Sequence, residues 1–167
     1  MKLRFKILLF CIVSISSVGC DQVTKNLAKT HLMNQEPTSY LHDLFRLEYV
    51  ENTGAALSLG AGLQQPYNFL LLSAIPLLLL LSLFGYVFIH IKQLNFIQLL
   101  SFSLIFAGGI GNVIDRLLHD RHVVDFMNMG FQNIRTGIFN IADLCITAGV
   151  IGFFASFRKI KHLQQVN

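Results

Sequence analysis

Charge is scarce in this sequence. Only 13% of its 167 residues are Asp, Glu, Lys or Arg, against 53% hydrophobic, and the mean hydropathy is +0.57. That shortage excludes an ordinary soluble domain of this length and points to a membrane protein. Tryptophan is absent. The three cysteines are an odd set, and Cys11 and Cys145 lie in apolar runs where a small thiol is simply buried, so no disulfide framework is implied. No repeat, low-complexity tract or linker divides the chain, so one domain over 1–167 is expected. There is no Gly-rich phosphate loop, and no Ser or Cys stands beside an obvious base. His119-Asp120-Arg121-His122 lacks the spacing of a zinc motif, so neither metal nor cofactor is expected. The net charge of +4 is small and the basic residues gather at the two ends, which speaks to membrane topology and not to nucleic-acid binding.

Long apolar runs are what the sequence has instead. Four spans are read at about 5–21, 67–90, 96–114 and 138–157. The second contains Pro76, which removes a backbone donor and predicts a kink. Lys2, Arg4 and Lys6 precede the first span, Lys92 lies between the second and third, and Arg158, Lys159 and Lys161 follow the fourth. With four spans all three clusters share one side, which the positive-inside rule makes cytoplasmic, so both termini are expected inside. Segments 22–66 and 115–137 then lie outside. Phe45 to Val50 alternates apolar and charged residues, the period of a half-buried strand, and Asn52-Thr53-Gly54 follows as a turn, so a small sheet is expected on the outer face.

The stretch Ser16 to Lys25, SSVGCDQVTK, permits two readings. Ser-Val-Gly-Cys looks like a lipobox, with cleavage before Cys20; alternatively it ends a retained first span and sets Asp21 at a membrane face. Ser17 stands where a lipobox usually has Leu, and three further spans are unusual for a lipoprotein. Residues 1–20 are therefore expected to be a retained span, with Cys20 unmodified.

Ionisable groups at span ends are functional candidates because a carboxylate within the bilayer costs about 2.5–3.5 kcal/mol. Asp21, Asp115, Asp125 and Asp143 all fall at outer ends. Asn112 precedes Asp115 by three residues and Arg116 by four, so the three share a helix face, where Asp115 and Arg116 can pair or support neighbours. The bland alternative is a glycine packing seam through Gly108, Gly109 and Gly111. Asn140 and Asp143, spaced i and i+3, read equally as a capped helix start. Asp125 follows two β-branched residues, which suggests a short extended piece. Asp43 and Asp120 read as solvated loop acids. A proton-coupled transporter would place acids near mid-span or on both sides, whereas here they gather at one face.

Five blocks in order resemble the bacterial lipoprotein signal peptidases, or signal peptidase II: Asp21-Gln22-Val23-Thr24-Lys25, Asn52-Thr53-Gly54-Ala55-Ala56, Gly111-Asn112-Val113-Ile114-Asp115-Arg116, Val123-Val124-Asp125-Phe126 and Phe139-Asn140-Ile141-Ala142-Asp143. Leu57 departs from the Phe common after Gly-Ala-Ala, and the loop from Arg116 to Val123 is about one residue longer than the family's pattern. The resemblance implies a mainly α membrane protein, a four-transmembrane-helix bundle with a small extracytoplasmic β-sheet, or cradle. It implies an aspartic endopeptidase of the bacterial inner membrane that cleaves diacylglyceryl-modified prolipoproteins on the N-terminal side of the lipidated Cys. Asp125 and Asp143 would be catalytic. Asn52, Asn112, Arg116 and Asn140 would bind substrate or support the acids, and Asp21, Lys25 and Asp115 would form a structural polar motif. The implied partners are lipidated prolipoproteins and membrane lipid, with inhibition by globomycin-like cyclic peptides, no cofactor or metal, and a monomeric state.

Overall fold

In a computed structural model, residues 1–55, 59–132 and 134–165 are described; of residues 157–165 only the backbone helix is described. Leu57, and the side chains of Arg158, Lys159 and Lys161, therefore lie outside the description. Among the described residues the order is α1 (Leu3–Leu32), β1 (Thr38–Tyr40), β2 (Phe45–Asn52), α2 (Tyr67–His90), α3 (Phe96–Leu118), β3 (Val123–Phe131), β4 (Ile134–Arg135) and α4 (Ile141–Gln165). The first three helices are long and apolar enough to cross a bilayer, and α4 is apolar over Ile141–Ser156. Their exposed faces carry residues such as Ile15, Leu79 and Phe154, which suit lipid and not water.

Two helices outlast their apolar runs. The first apolar stretch ends near Cys20, yet α1 continues unbroken to Leu32, so the Asp21–Lys25 block lies on the helix and not beyond it. The added turns are held because Ala28 and Leu32 pack under the sheet against Val124, Phe126 and Phe45. Likewise α3 carries past Ile114 to Leu118. In α2 the turn Leu70–Ala74 is π-helical, immediately before Pro76. Pro76 has no N–H to return to a carbonyl four residues back, and the register widens there.

At the opposite end, an aromatic core of Phe10, Phe102 and the partly buried Phe88 and Phe106 joins α1, α2 and α3. Lys6 is buried beside it. Its three N–H groups donate to the carbonyls of Ile91 (2.9 Å), Lys92 (2.9 Å) and Leu94 (2.6 Å), which closes the end of α2. Asn95 and Gln98 form a capping box that starts α3. Small residues bring α3 and α4 together: Gly108 abuts the Ala142 carbonyl, and Gly149 the Ser101 carbonyl.

The sheet is antiparallel in the order β1-β2-β3-β4. Its centre is long-range: Asn52 pairs with Val123, Val50 with Asp125 and Phe45 with Met129, with an irregularity between Leu47 and Val50. The partner strand of β2 on this side, β3, arrives about seventy residues later. Asp43 lies in an exposed turn, as expected, and is in addition the hub of an ion network, accepting from Arg46 at 2.5 Å, Ser39 at 2.7 Å and Arg135 at 3.3 Å. The Arg46 hydrogen bond, then Ser39, holds its carboxyl well below the usual carboxylate range. Asp120 is exposed, as expected.

Candidate active site

The aspartates at the span ends fall into two groups joined by asparagines. The first is an ion cluster between α1 and α3. Lys25 Nζ lies 2.7 Å from Asp21 and 2.8 Å from Asp115, with all three side chains almost wholly buried. Its third donor goes to Asn112 Oδ1 at 3.0 Å, so every ammonium N–H is used. Gln22, to which the sequence reading gave no role, donates to Asp115 Oδ1 at 2.8 Å. The signal was its place between Asp21 and Lys25, one helical step towards α3. Asp21 also accepts from the backbone N–H of Ala142 at 2.9 Å, which ties α1 to the first turn of α4. No side chain on Gly111 would fit: a Cβ there would stand 2.6 Å from Asp21 Oδ2. Asp115 therefore pairs with Lys25 and not with its neighbour Arg116, because Asp115 faces α1.

The second group holds Asp125 and Asp143. Asp125 projects from β3 and accepts from Asn140 Nδ2 at 2.7 Å and from Asn52 Nδ2 at 3.0 Å. Asp143 lies on the first turn of α4. Its Oδ2 accepts the Asn140 backbone N–H at 3.1 Å while Asn140 Oδ1 accepts the Asp143 N–H at 3.0 Å. The capped helix start is therefore present, and its two side chains belong to the site as well. The second oxygen, Asp143 Oδ1, accepts from Asn112 Nδ2 at 3.0 Å.

Amide orientation follows from these partners. Lys25 has only donors to offer, so Asn112 must turn its oxygen to Lys25 and its nitrogen to Asp143. Asn140 is fixed in the same way by the Asp143 N–H on one side and Asp125 on the other. The ion cluster thereby sets, through one amide, which atom faces Asp143.

Both carboxylates line a cavity of about 620 Å³ between α2, α3, α4 and β3. Its walls are largely apolar, with Pro76, Val113, Ile138 and Ile146 among them. Arg116 also lines it. Its Nη2 donates to the Gly54 carbonyl at 2.8 Å, and its buried Nε has no partner among the described residues. The same loop is held by Gly54 N–H on Asn52 Oδ1 at 2.9 Å and by Asn68 on the Thr53 carbonyl at 3.3 Å. Burial, more than any other cause, pushes the Asp125 carboxyl up to about 6, and the nearby Asp143 charge pushes the same way. A second, more polar cleft of about 590 Å³ opens on the other face of β3, beside Val124, Glu51 and Lys29; it contains neither Asp125 nor Asp143. Two carboxylates held together at a poorly hydrated wall can share a proton, the arrangement that acid–base hydrolysis needs.

A family model described as signal peptidase (SPase) II matches residues 13–158. The lipoprotein signal peptidase of Chlorobium phaeobacteroides strain BS1 is 40% identical over 150 residues, covering 84% of this chain and 90% of the relative. That of Borreliella burgdorferi strain ZS7 is 36% identical over 144 residues, 83% of each chain. Among solved structures, a bacterial membrane enzyme determined in meso superposes with a TM-score of 0.76 at 31% identity, over 90% of this chain and 87% of that one.

Proposed function

This chain belongs to the signal peptidase II family, and on that premise we propose that Asp125 and Asp143 are its catalytic pair. The protein is a membrane peptidase that removes signal peptides from lipid-modified prolipoproteins by cleaving on the N-terminal side of the lipidated Cys. The observation that carries the assignment is Asn140, whose side chain holds Asp125 and whose backbone holds Asp143 at the wall of one apolar cavity.

In this reading one carboxylate takes a proton from water as it attacks the scissile carbonyl. The other, protonated, donates to the carbonyl oxygen; the proton taken from water then passes from the first carboxyl to the leaving amine as the C–N bond breaks, and the gem-diol returns a proton to the second carboxylate. Burial and the nearby Asp143 charge both favour the protonated form of Asp125, so the two carboxyls share one proton as a pair. Asn52, Asn112 and Asn140 orient the pair, while Arg116 offers its unpartnered Nε–H to a substrate carbonyl along the cavity. Asp21, Lys25 and Asp115 hold Asn112 in register. The apolar walls suit a lipid-bearing segment delivered from the bilayer. The enzyme acts as a monomer in the bacterial inner membrane, with the site at the outer face and both termini inside, and globomycin-like cyclic peptides block the cavity.

Cleavage of a lipidated prolipoprotein by purified variants tests the pair. Asp125→Asn and Asp143→Asn should each lose at least about a hundredfold, the scale of a missing general acid or base. The double variant should be scarcely worse than either, because the two act as a unit. Substantial activity in either single variant would sink the assignment.

A further inference from the structure

At the far end of the sheet two turns carry large apolar side chains that no other described residue covers. Leu41 is 73% exposed, Phe131 68% and Ile134 85%. Tyr40, Leu44 and Met129 beside them are each about half exposed. The turns are neighbours, since Gly130 N–H donates to the Leu44 carbonyl at 2.9 Å and Arg135 Nη1 to the Asp43 carbonyl at 2.8 Å.

This end is built, not slack. Leu41, His42 and Asp43 follow one another at φ of 52°, 54° and 68°, and Gln132 in the second turn is at 50°. Three consecutive non-glycine residues in the left-handed region persist only where surrounding contacts impose them. The Asp43 network with Arg46, Ser39 and Arg135 supplies those contacts. The result pushes Leu41 outward, beside Phe131 and Ile134. Cross-strand packing alone does not call for that display.

The patch also continues a surface that begins on the spans. Met129 lines the large cavity together with Ile146 and Thr147 of α4. Two residues further along β3 stands Phe131. Behind the apolar tip lie Tyr40, Arg46 and Arg135. Aromatic and guanidinium groups in that position are what a protein presents where acyl chains give way to headgroups. A patch of this kind facing water would be an aggregation liability.

We infer that the turn tips bearing Leu41, Phe131 and Ile134 insert into the acyl region of the leaflet on the site's side. The occupant of the patch is phospholipid, and the far end of the sheet is a second membrane anchor besides the helices. Because Met129 and Thr136 belong both to this arm and to the cavity wall, the anchor fixes that wall at the depth from which a lipid-bearing substrate arrives.

The chain has no tryptophan, so one introduced residue reports alone. Ile134→Trp and, separately, Phe131→Trp are reconstituted in phosphatidylcholine vesicles whose acyl chains carry bromine. Glu36→Trp, in the exposed segment after α1, is the water-facing control. The expected result is blue-shifted emission from both tip reporters, most of it lost to the brominated lipid, with the control red-shifted and unquenched. Water-like emission without quenching at both tips would overturn the proposal. So would blue emission that ignores bromine and fades as the protein is diluted in lipid, which would mean a second copy covers the patch. The readout needs no cleavage, so it stands or falls independently of the catalytic assignment.

Discussion

Lys25 matches three donors to three acceptors with all three charged side chains almost wholly buried, and among the described residues it is the one cation paired with Asp21 and Asp115. Removing one partner of such a cluster leaves an uncompensated charge, at a cost of about 3–5 kcal/mol. Lys25→Met should therefore unfold at a markedly lower temperature in detergent, and the residual folded enzyme should be impaired because Asn112 is free to flip. An unchanged melting temperature would count against the cluster. Asp125 behaves in the opposite sense. Its carboxyl holds a proton more tightly in the folded protein than at its ordinary value of 3.8. Stability should thus fall as pH rises from about 4 to about 6, and above that the ionised form costs about 3 kcal/mol. Asp125→Asn should melt higher than the parent at neutral pH and show a flatter profile between those values, while losing activity. The parent's cleavage should decline on the alkaline side with an apparent pKa at or above about 6, a value belonging to the pair.

Between elements, the α2–α3 link is closed by a side chain from α1. Lys6 satisfies three carbonyls that would otherwise face the end of a helix with no partner. Lys6→Met should lower stability by roughly 1–3 kcal/mol, the cost of a buried acceptor left unmade, and thermal unfolding in detergent measures it. The same contact puts the N-terminus and the α2–α3 link at one end of the bundle. At the other end α1, α3 and α4 meet at Gly111 with no room for a methyl group. Gly111→Ala should cost about 1–3 kcal/mol by overpacking, and the displaced Asp21 should loosen the first turn of α4 and with it Asp143.

Across the whole molecule, the basic residues and the bundle together call for reporter fusions that read outside at residue 60 and inside at the C-terminus; an outside C-terminus would overturn the proposed orientation. Phe10 sits in the aromatic core and Asp21 anchors α4, so α1 on either side of Cys20 is integral to the packed bundle. Intact mass of the purified protein should accordingly show Cys20 unmodified within the chain, and a mature form beginning at a lipidated Cys20 would refute that expectation.

Hydropathy and motif order carried the sequence reading far, because transfer into a bilayer is a local property of each segment. The apolar runs at 67–90 and 96–114, the strand at Phe45 to Val50 and the gathering of Asp21, Asp115, Asp125 and Asp143 near one face all follow from such local chemistry. Helix length was not legible in that way: α1 runs on to Leu32 because the sheet packs on Ala28, a contact with residues about a hundred positions away. Nor was the pairing of charges. Asp115 could turn to Arg116 beside it or to Lys25 ninety residues earlier, and Asp43 could be solvated or bound by Arg135. Composition assigns each of these groups a cost of burial but not the partner that offsets it. That partner is fixed only when packing brings remote donors within three ångströms, as it does for Lys25 at Asn112 and for Asn140 between Asp125 and Asp143.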